Sequence, residues 1–138
     1  MAEDRRDLGE LCARVNRRLV EAERPLLEGH GLAMWPYAVL TRLTAGEAPT
    51  QYALADDVGY DKTRVIAVLD GLEAAGLVTR RPDPSDRRAR IITITAAGRR
   101  RQAAAQKDIR AMEESILSEL PASERNLLVK ALARLAEV

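Results

Sequence analysis

At 138 residues, with 31% charged, 46% hydrophobic and only 3% aromatic side chains, the chain has the size of one compact domain and enough apolar residues to bury a core. Its formal net charge of +1 hides an asymmetry: residues 62–101 hold 10 basic and 4 acidic side chains, and the remainder 12 and 17, so a polyanion is steered to one part of the molecule. A single cysteine, Cys12, with a single histidine, His30, excludes an internal disulfide and a four-ligand zinc site, and neither the start Met1-Ala2-Glu3-Asp4-Arg5-Arg6 nor any later stretch has the apolar run of a signal peptide or a membrane span; a soluble protein of the reducing cytoplasm is expected.

In chain order, residues 7–27 place Leu8, Leu11, Cys12, Val15, Leu19, Ala22 and Leu26 at spacings of three and four, which predicts an amphipathic helix. A second helix starts with Met34-Trp35-Pro36-Tyr37 beside His30. Residues 50–76 then read as helix, tight turn, helix. Thr50 and Asp61 are suited to cap the two starts, because their side-chain oxygens accept from amides that a first helical turn leaves unpaired, and Gly76 is suited to end the second helix. In that second helix Val65, Val68, Leu69 and Leu72 form a core-facing stripe, which leaves Lys62, Thr63, Arg64 and Ala67 turned outward. Ile66 is expected to turn into the core, the other reading being contact with a thymine methyl.

Residues 77–95 read as two short strands joined by a long arginine-rich loop, stiffened by Pro82 and Pro84. Two readings of the loop stand side by side. It is a finger for DNA, or a solvated turn in which Arg81, Arg87, Arg88 and Arg90 pair with Asp83 and Asp86. Residues 99–120 form another helix with Ile109, Met112, Ile116 and Leu120 on one face. Pro121 breaks it, and a last helix from Ala122 to about Glu137 carries Leu127, Leu128, Ala131, Leu132 and Leu135. No phosphate loop, paired acid and base or nucleophile elbow occurs, so neither an enzyme nor a cofactor is expected.

Gly59-Tyr60-Asp61-Lys62-Thr63, the run Leu69-Asp70-x-Leu72-Glu73-x-x-Gly76-Leu77-Val78, the segment Asp83-Pro84-Ser85-Asp86-Arg87-Arg88-Ala89, and Thr95-x-x-Gly98-Arg99 together resemble the winged helix-turn-helix of the MarR family, over roughly residues 34–101. The resemblance implies a mostly α fold with a small β-hairpin wing, as a single unit over 1–138. Within it, 34–98 would form the DNA-binding region, and 1–30 with 99–138 the dimerisation helices. It implies a homodimeric regulator, most often a repressor, that binds an inverted repeat in double-stranded DNA. By the family pattern Asp86 braces the guanidinium of Arg88 so that Arg88 enters a minor groove, while Arg87 and Arg90 hold phosphates. Lys62, Thr63 and Arg64 are the candidates for major-groove contact. Each keeps a plainer reading: Lys62 solvated, Thr63 steadying the first turn, Arg64 paired with Asp61.

Family members often release DNA when a small anionic or phenolic ligand fills a crevice between the dimer helices and the winged region. His30, Trp35 and Tyr37 are the candidates for that crevice, with Trp35 alternatively a core or hinge plug. Some members sense oxidants through a cysteine in the first helix. Cys12 occupies such a helix, but it shares the apolar stripe of Leu8 and Val15, where a buried thiol is inert. Two alternatives to a ligand-released regulator are therefore a redox sensor through Cys12 and a protein-interaction module that keeps the fold. This chain departs from the family pattern at Ile66 and Ala67, where related recognition helices carry hydroxyl and basic residues.

Overall fold

A computed structural model describes residues 5–137; of the N-terminal stretch read for a leader, Met1 to Asp4 lie outside them. The order is α1 (Leu8–Gly29), α2 (Met34–Thr44), α3 (Gln51–Val58), α4 (Arg64–Ala74), β1 (Val78–Asp83), β2 (Asp86–Ile94), α5 (Ala96–Leu117) and α6 (Ala122–Ala136). Helices α3 and α4 meet at a tight turn. Gly59 adopts a left-handed conformation (φ 71°) that ends α3, and Tyr60 N–H returns to Ala55 C=O at 2.9 Å, closing the last carbonyls without lengthening the turn. Thr50 Oγ1 accepts from Ala53 N–H at the start of α3, as the sequence predicts.

The interior lies where α2, α3, α4 and the hairpin converge. Leu40, Leu43, Leu54, Val65, Leu69, Val78 and Ile92 are fully buried, and Ala105 and Ile109 of α5 close the same cluster. Leu27 is the buried residue of α1, one position beyond the expected stripe. The two strands pair antiparallel from Val78↔Ile94 to Arg81↔Ile91. Ala48 adds a two-bond bridge to Ile92 on the open side, donating and accepting at 2.9 Å, so the segment between α2 and α3 serves as a rudimentary third strand.

The wing differs from expectation. Its two strands are separated by Pro84 and Ser85 alone, and no long loop exists. Asp83 pairs directly with Asp86, and the register shifts between Pro82 and Asp83, so Arg87, Arg88 and Ala89 have no partner on β1. Of the arginines expected in a loop, Arg87 and Arg88 thus sit on a bulged stretch of β2, an irregularity that bends a strand and re-aims its side chains, while Arg90 pairs with Pro82 and Arg81 lies on β1. The turn is held by Asp83 Oδ1, which accepts from Ser85 N–H at 2.9 Å and Ser85 Oγ at 2.8 Å.

Helix α5 starts three residues earlier than predicted, because Thr95 Oγ1 caps Gly98 N–H. Beyond the core, α1 and α6 carry apolar faces that the single chain covers only in part. Leu8, Leu11 and Val15 on α1 and Leu127, Leu128, Leu132 and Leu135 on α6 are exposed, and α6 buries no residue at all. Leu128 and Leu132 meet Val15, Leu19 and Leu120 only across a cleft and stay about half exposed. Cys12, expected to be buried in that stripe, is exposed in the single chain for the same reason.

Candidate nucleic-acid interface

The start of α4 is built from the turn at residues 61–63. Val65 N–H already bonds to Asp61 C=O at 3.0 Å, and Asp61 Oδ1 accepts from the amides of Thr63 and Arg64 at 2.9 Å each, so Asp61 is the cap that the sequence predicts. The same oxygen receives a short bond from the Thr63 hydroxyl. That bond first, and the two amides next, hold the Asp61 carboxyl below the usual carboxylate range. Thr63 is therefore occupied in steadying the turn. Lys62 leans back over α3, with Nζ 3.6 Å from Asp56 Oδ1 and 5.8 Å from the centre of the Tyr52 ring. Arg64 lies exposed, and only its backbone is engaged with Asp61; no ion pair between their side chains forms.

Ile66 does not enter the core. It is 37% exposed, whereas Val65 and Leu69 are fully covered. At about 100° per residue, position 66 falls on the flank of the helix once Val65, Leu69 and Leu72 define the buried side. Ala67 is also exposed but borders a different feature, a crevice described below.

On the wing, Arg87, Arg88 and Arg90 are exposed and form no ion pair among the described residues, so the reading in which they neutralise Asp83 and Asp86 fails for these three. Arg81 pairs instead with Glu47 at 3.0 Å. Asp86 does brace its neighbour, by another route: Oδ1 accepts from the Arg88 backbone amide at 3.0 Å and leaves the guanidinium unbound. Ala89, buried under the bulge, anchors this stretch while the arginines on either side project outward. Arg88 and Arg90 line a groove of 310 Å³ whose other wall is Thr50, Gln51 and Tyr52 at the start of α3, where helical amides favour anions.

Sequence reasoning missed Arg80. Its side chain is 16% exposed and reaches away from the surface to Asp70, Glu73 and Gln51. Its hydrogen bond holds the Glu73 carboxyl below the usual range, and Glu73 in return raises the guanidinium. In the sequence it was one arginine among several; only i,i+3 acids on the neighbouring helix hinted at its use.

The three residues predicted to share a ligand crevice have three separate surroundings. His30 Nε2 donates to Asp108 Oδ2 at 2.6 Å, since a carboxylate can only accept. Trp35 stacks on Tyr60 with ring centres 4.0 Å apart and planes 16° apart, bracing α2 against the turn before α4. Tyr37 is half-buried beside Thr41, Glu23, Arg110 and Glu113, and burial pushes its hydroxyl upward. A crevice of 520 Å³ lies nearby, between the α1–α2 corner, the later half of α4 and the start of α5, lined by Leu32, Pro36, Ala67, Val68, Leu72 and Arg101 among others. Its lining is mostly apolar, with one carboxylate, Glu28, and one cation, Arg101; His30, Trp35 and Tyr37 do not line it.

Comparisons with known proteins agree with this geometry. The profile described as MarR family matches residues 35–89. The HTH-type transcriptional regulator YdgJ of Bacillus subtilis is 31% identical over 105 residues, 76% of this chain and 64% of the relative, so the chain spans a little under two thirds of that protein. Among solved structures, the transcriptional repressor CouR bound to a 23-mer DNA duplex superposes with a TM-score of 0.83 at 31% identity, covering 95% of this chain and 93% of CouR. CouR from Rhodococcus jostii RHA1 bound to p-coumaroyl-CoA superposes with a TM-score of 0.79 at 31% identity, covering 95% and 92%.

Proposed function

This chain belongs to the MarR family, and on that premise we propose that it is a sequence-specific regulator of transcription that binds double-stranded DNA as a homodimer, acts as a repressor, and is released by a small ligand. The observation that carries the reading is the unpaired state of the wing: Arg87, Arg88 and Arg90 stand exposed without acidic partners among the described residues, beside an α4 that presents Arg64 at its start. Arginines left unneutralised next to a helix–turn–helix suit a polyanion. Arg88 would enter a minor groove and read its width and potential, while Arg64 would reach base edges or phosphate in the major groove.

The 1–138 chain would act as one unit, with 34–98 on the DNA and 1–30 with 99–138 at the two-fold. Support for the two-fold is the bare apolar face of α1 and α6, where Leu127 and Leu135 are 67% and 65% exposed. A helix with no buried residue gains its stability from a partner surface, and a second copy supplies one. Recognition helices would then meet major grooves about one turn, or 10 bp, apart. The α1–α2–α4–α5 crevice, whose charged lining residues are Arg101 and Glu28, is where a small effector, phenolic or with an anionic group held by Arg101, would bind; His30, Trp35 and Tyr37 lie outside its lining. A protein that binds DNA by this route works in the cytoplasm, where the free Cys12 stays reduced.

Fluorescence anisotropy with the intergenic duplex beside the protein's own gene, against a scrambled duplex, tests the reading. Preference for the native duplex that survives physiological salt is expected. Arg88→Ala should weaken it about tenfold per half-site with the dimer intact, as for loss of a charge-assisted contact. Equal, salt-labile binding of both duplexes would refute sequence specificity.

A further inference from the structure

Of the five arginines on the hairpin, Arg80 alone turns inward. From β1, where it pairs with Ile92, it contacts both helices of the helix–turn–helix. Nη2 donates to Asp70 Oδ1 at 2.6 Å and Glu73 Oε1 at 2.9 Å, one turn apart on α4; Nη1 donates to Gln51 Oε1 at 3.0 Å, the first residue of α3. Its backbone amide adds a bond to Glu73 Oε2 at 3.2 Å. One planar guanidinium thus ties the wing, the recognition helix and the helix before it. A fork of fixed geometry does this where a flexible ammonium cannot.

Asp70 and Glu73 stand at i+4 and i+7 from Ile66, so all three share the flank of α4 that faces the wing. A duplex seated against both α4 and the wing passes this flank, and two free carboxylates there would repel its phosphates. We propose that Arg80 is a positioning residue for DNA recognition: it fixes the angle of the wing against the recognition helix, and so the register between minor-groove and major-groove contacts, while it covers the two acids. The inference rests on the DNA-binding reading above.

Charge and position predict opposite signs, which makes the inference testable. Asp70→Asn/Glu73→Gln removes two negative charges from the DNA-facing flank, and by charge alone would tighten binding. If Arg80 sets the wing, the same variant loosens binding, by about fivefold or more, as for coupled contacts within one network. Unchanged or tighter binding, at an unchanged melting temperature and dimer mass, overturns the proposal. Arg80→Lys supplies a second test that keeps the charge and tolerates a milder change in packing. In that background Arg88→Ala should cost about twofold, against about tenfold in the wild type, because a wing out of register has little left to lose. An equal cost of Arg88→Ala in both backgrounds overturns it as well. Wild-type protein on native and scrambled duplexes is run alongside. Failure of the wild type to discriminate defeats the DNA reading itself, whereas discrimination by the wild type with an unaffected double variant defeats only the role of Arg80.

Discussion

Gly98→Ala is expected to be among the most damaging single-methyl changes in this protein. Gly98 sits buried in the first turn of α5, against the root of the wing. A Cβ there would lie 2.1 Å from the carbonyl oxygen of Leu77, 2.8 Å from Ile94 Cγ1 and 3.1 Å from the Leu77 carbonyl carbon. The closest of these atoms is backbone, and it accepts the Thr95 N–H at 3.0 Å, so it cannot swing aside as a flexible side chain would. Overpacking of this kind costs about 1–3 kcal/mol, and disturbing the Leu77–Thr95 bond about 1 kcal/mol more. The better helix propensity of alanine returns about 0.5–1 kcal/mol. The net loss is therefore about 1–3.5 kcal/mol. Unfolding entropy near 2.1 cal/mol/K per residue converts that to a fall in Tm of about 3–12 °C for a chain of this length. Circular dichroism melts should be run at one protomer concentration, because a dimer's Tm depends on it. Gly71→Ala is the control: nothing lies within 4 Å of its Cβ position, and there the same substitution should stabilise by about 0.5–1 kcal/mol. A Gly98→Ala protein that melts with or above the wild type would refute the steric reasoning.

Three further outcomes are expected. Because the folded state depresses the Asp61 carboxyl, its support of the α4 start is complete above the ordinary aspartate range and is lost as pH falls through the lower folded value. Asp61→Asn should keep the cap and flatten that acid arm, while Asp61→Ala should speed amide exchange at Thr63 and Arg64; unchanged exchange in the alanine variant would count against the cap. Ile66, exposed on the flank of α4, should meet a thymine methyl: replacing operator thymines one at a time with deoxyuridine should cost about fourfold at one position per half-site, the worth of one buried methyl group, and the cost should vanish in Ile66→Ser. Indifference to uracil at every position would sink this contact. Leu132→Asp, on the bare face of α6, should give a folded monomer by sedimentation; a persistent dimer would place the two-fold elsewhere.

Local and periodic features of the fold were legible in the sequence, because each is decided by residues close along the chain. The Thr50 cap, the Asp61 cap, the tight turn between the two helices, the glycine stop at Gly76, and the Val65–Leu69–Leu72 stripe all depend on neighbours within one or two turns. The order of motifs was enough to identify the family. What the sequence by itself could not decide is where a side chain goes when several partners compete. Five hairpin arginines look alike on paper. Only the packing of β1 against α4 turns Arg80 inward to two acids and leaves Arg87, Arg88 and Arg90 bare. The same holds for Ile66, which hydrophobicity sends to the core but the crossing of α4 with its neighbours leaves at the surface. His30, Trp35 and Tyr37, close in sequence, separate onto Asp108, Tyr60 and Thr41 because α5, the turn before α4 and α2 itself each present a different partner. Hydrophobic period and capping are properties of a segment, whereas ion pairing and exposure are properties of the space between segments, and that space exists only once the helices and the wing have come together.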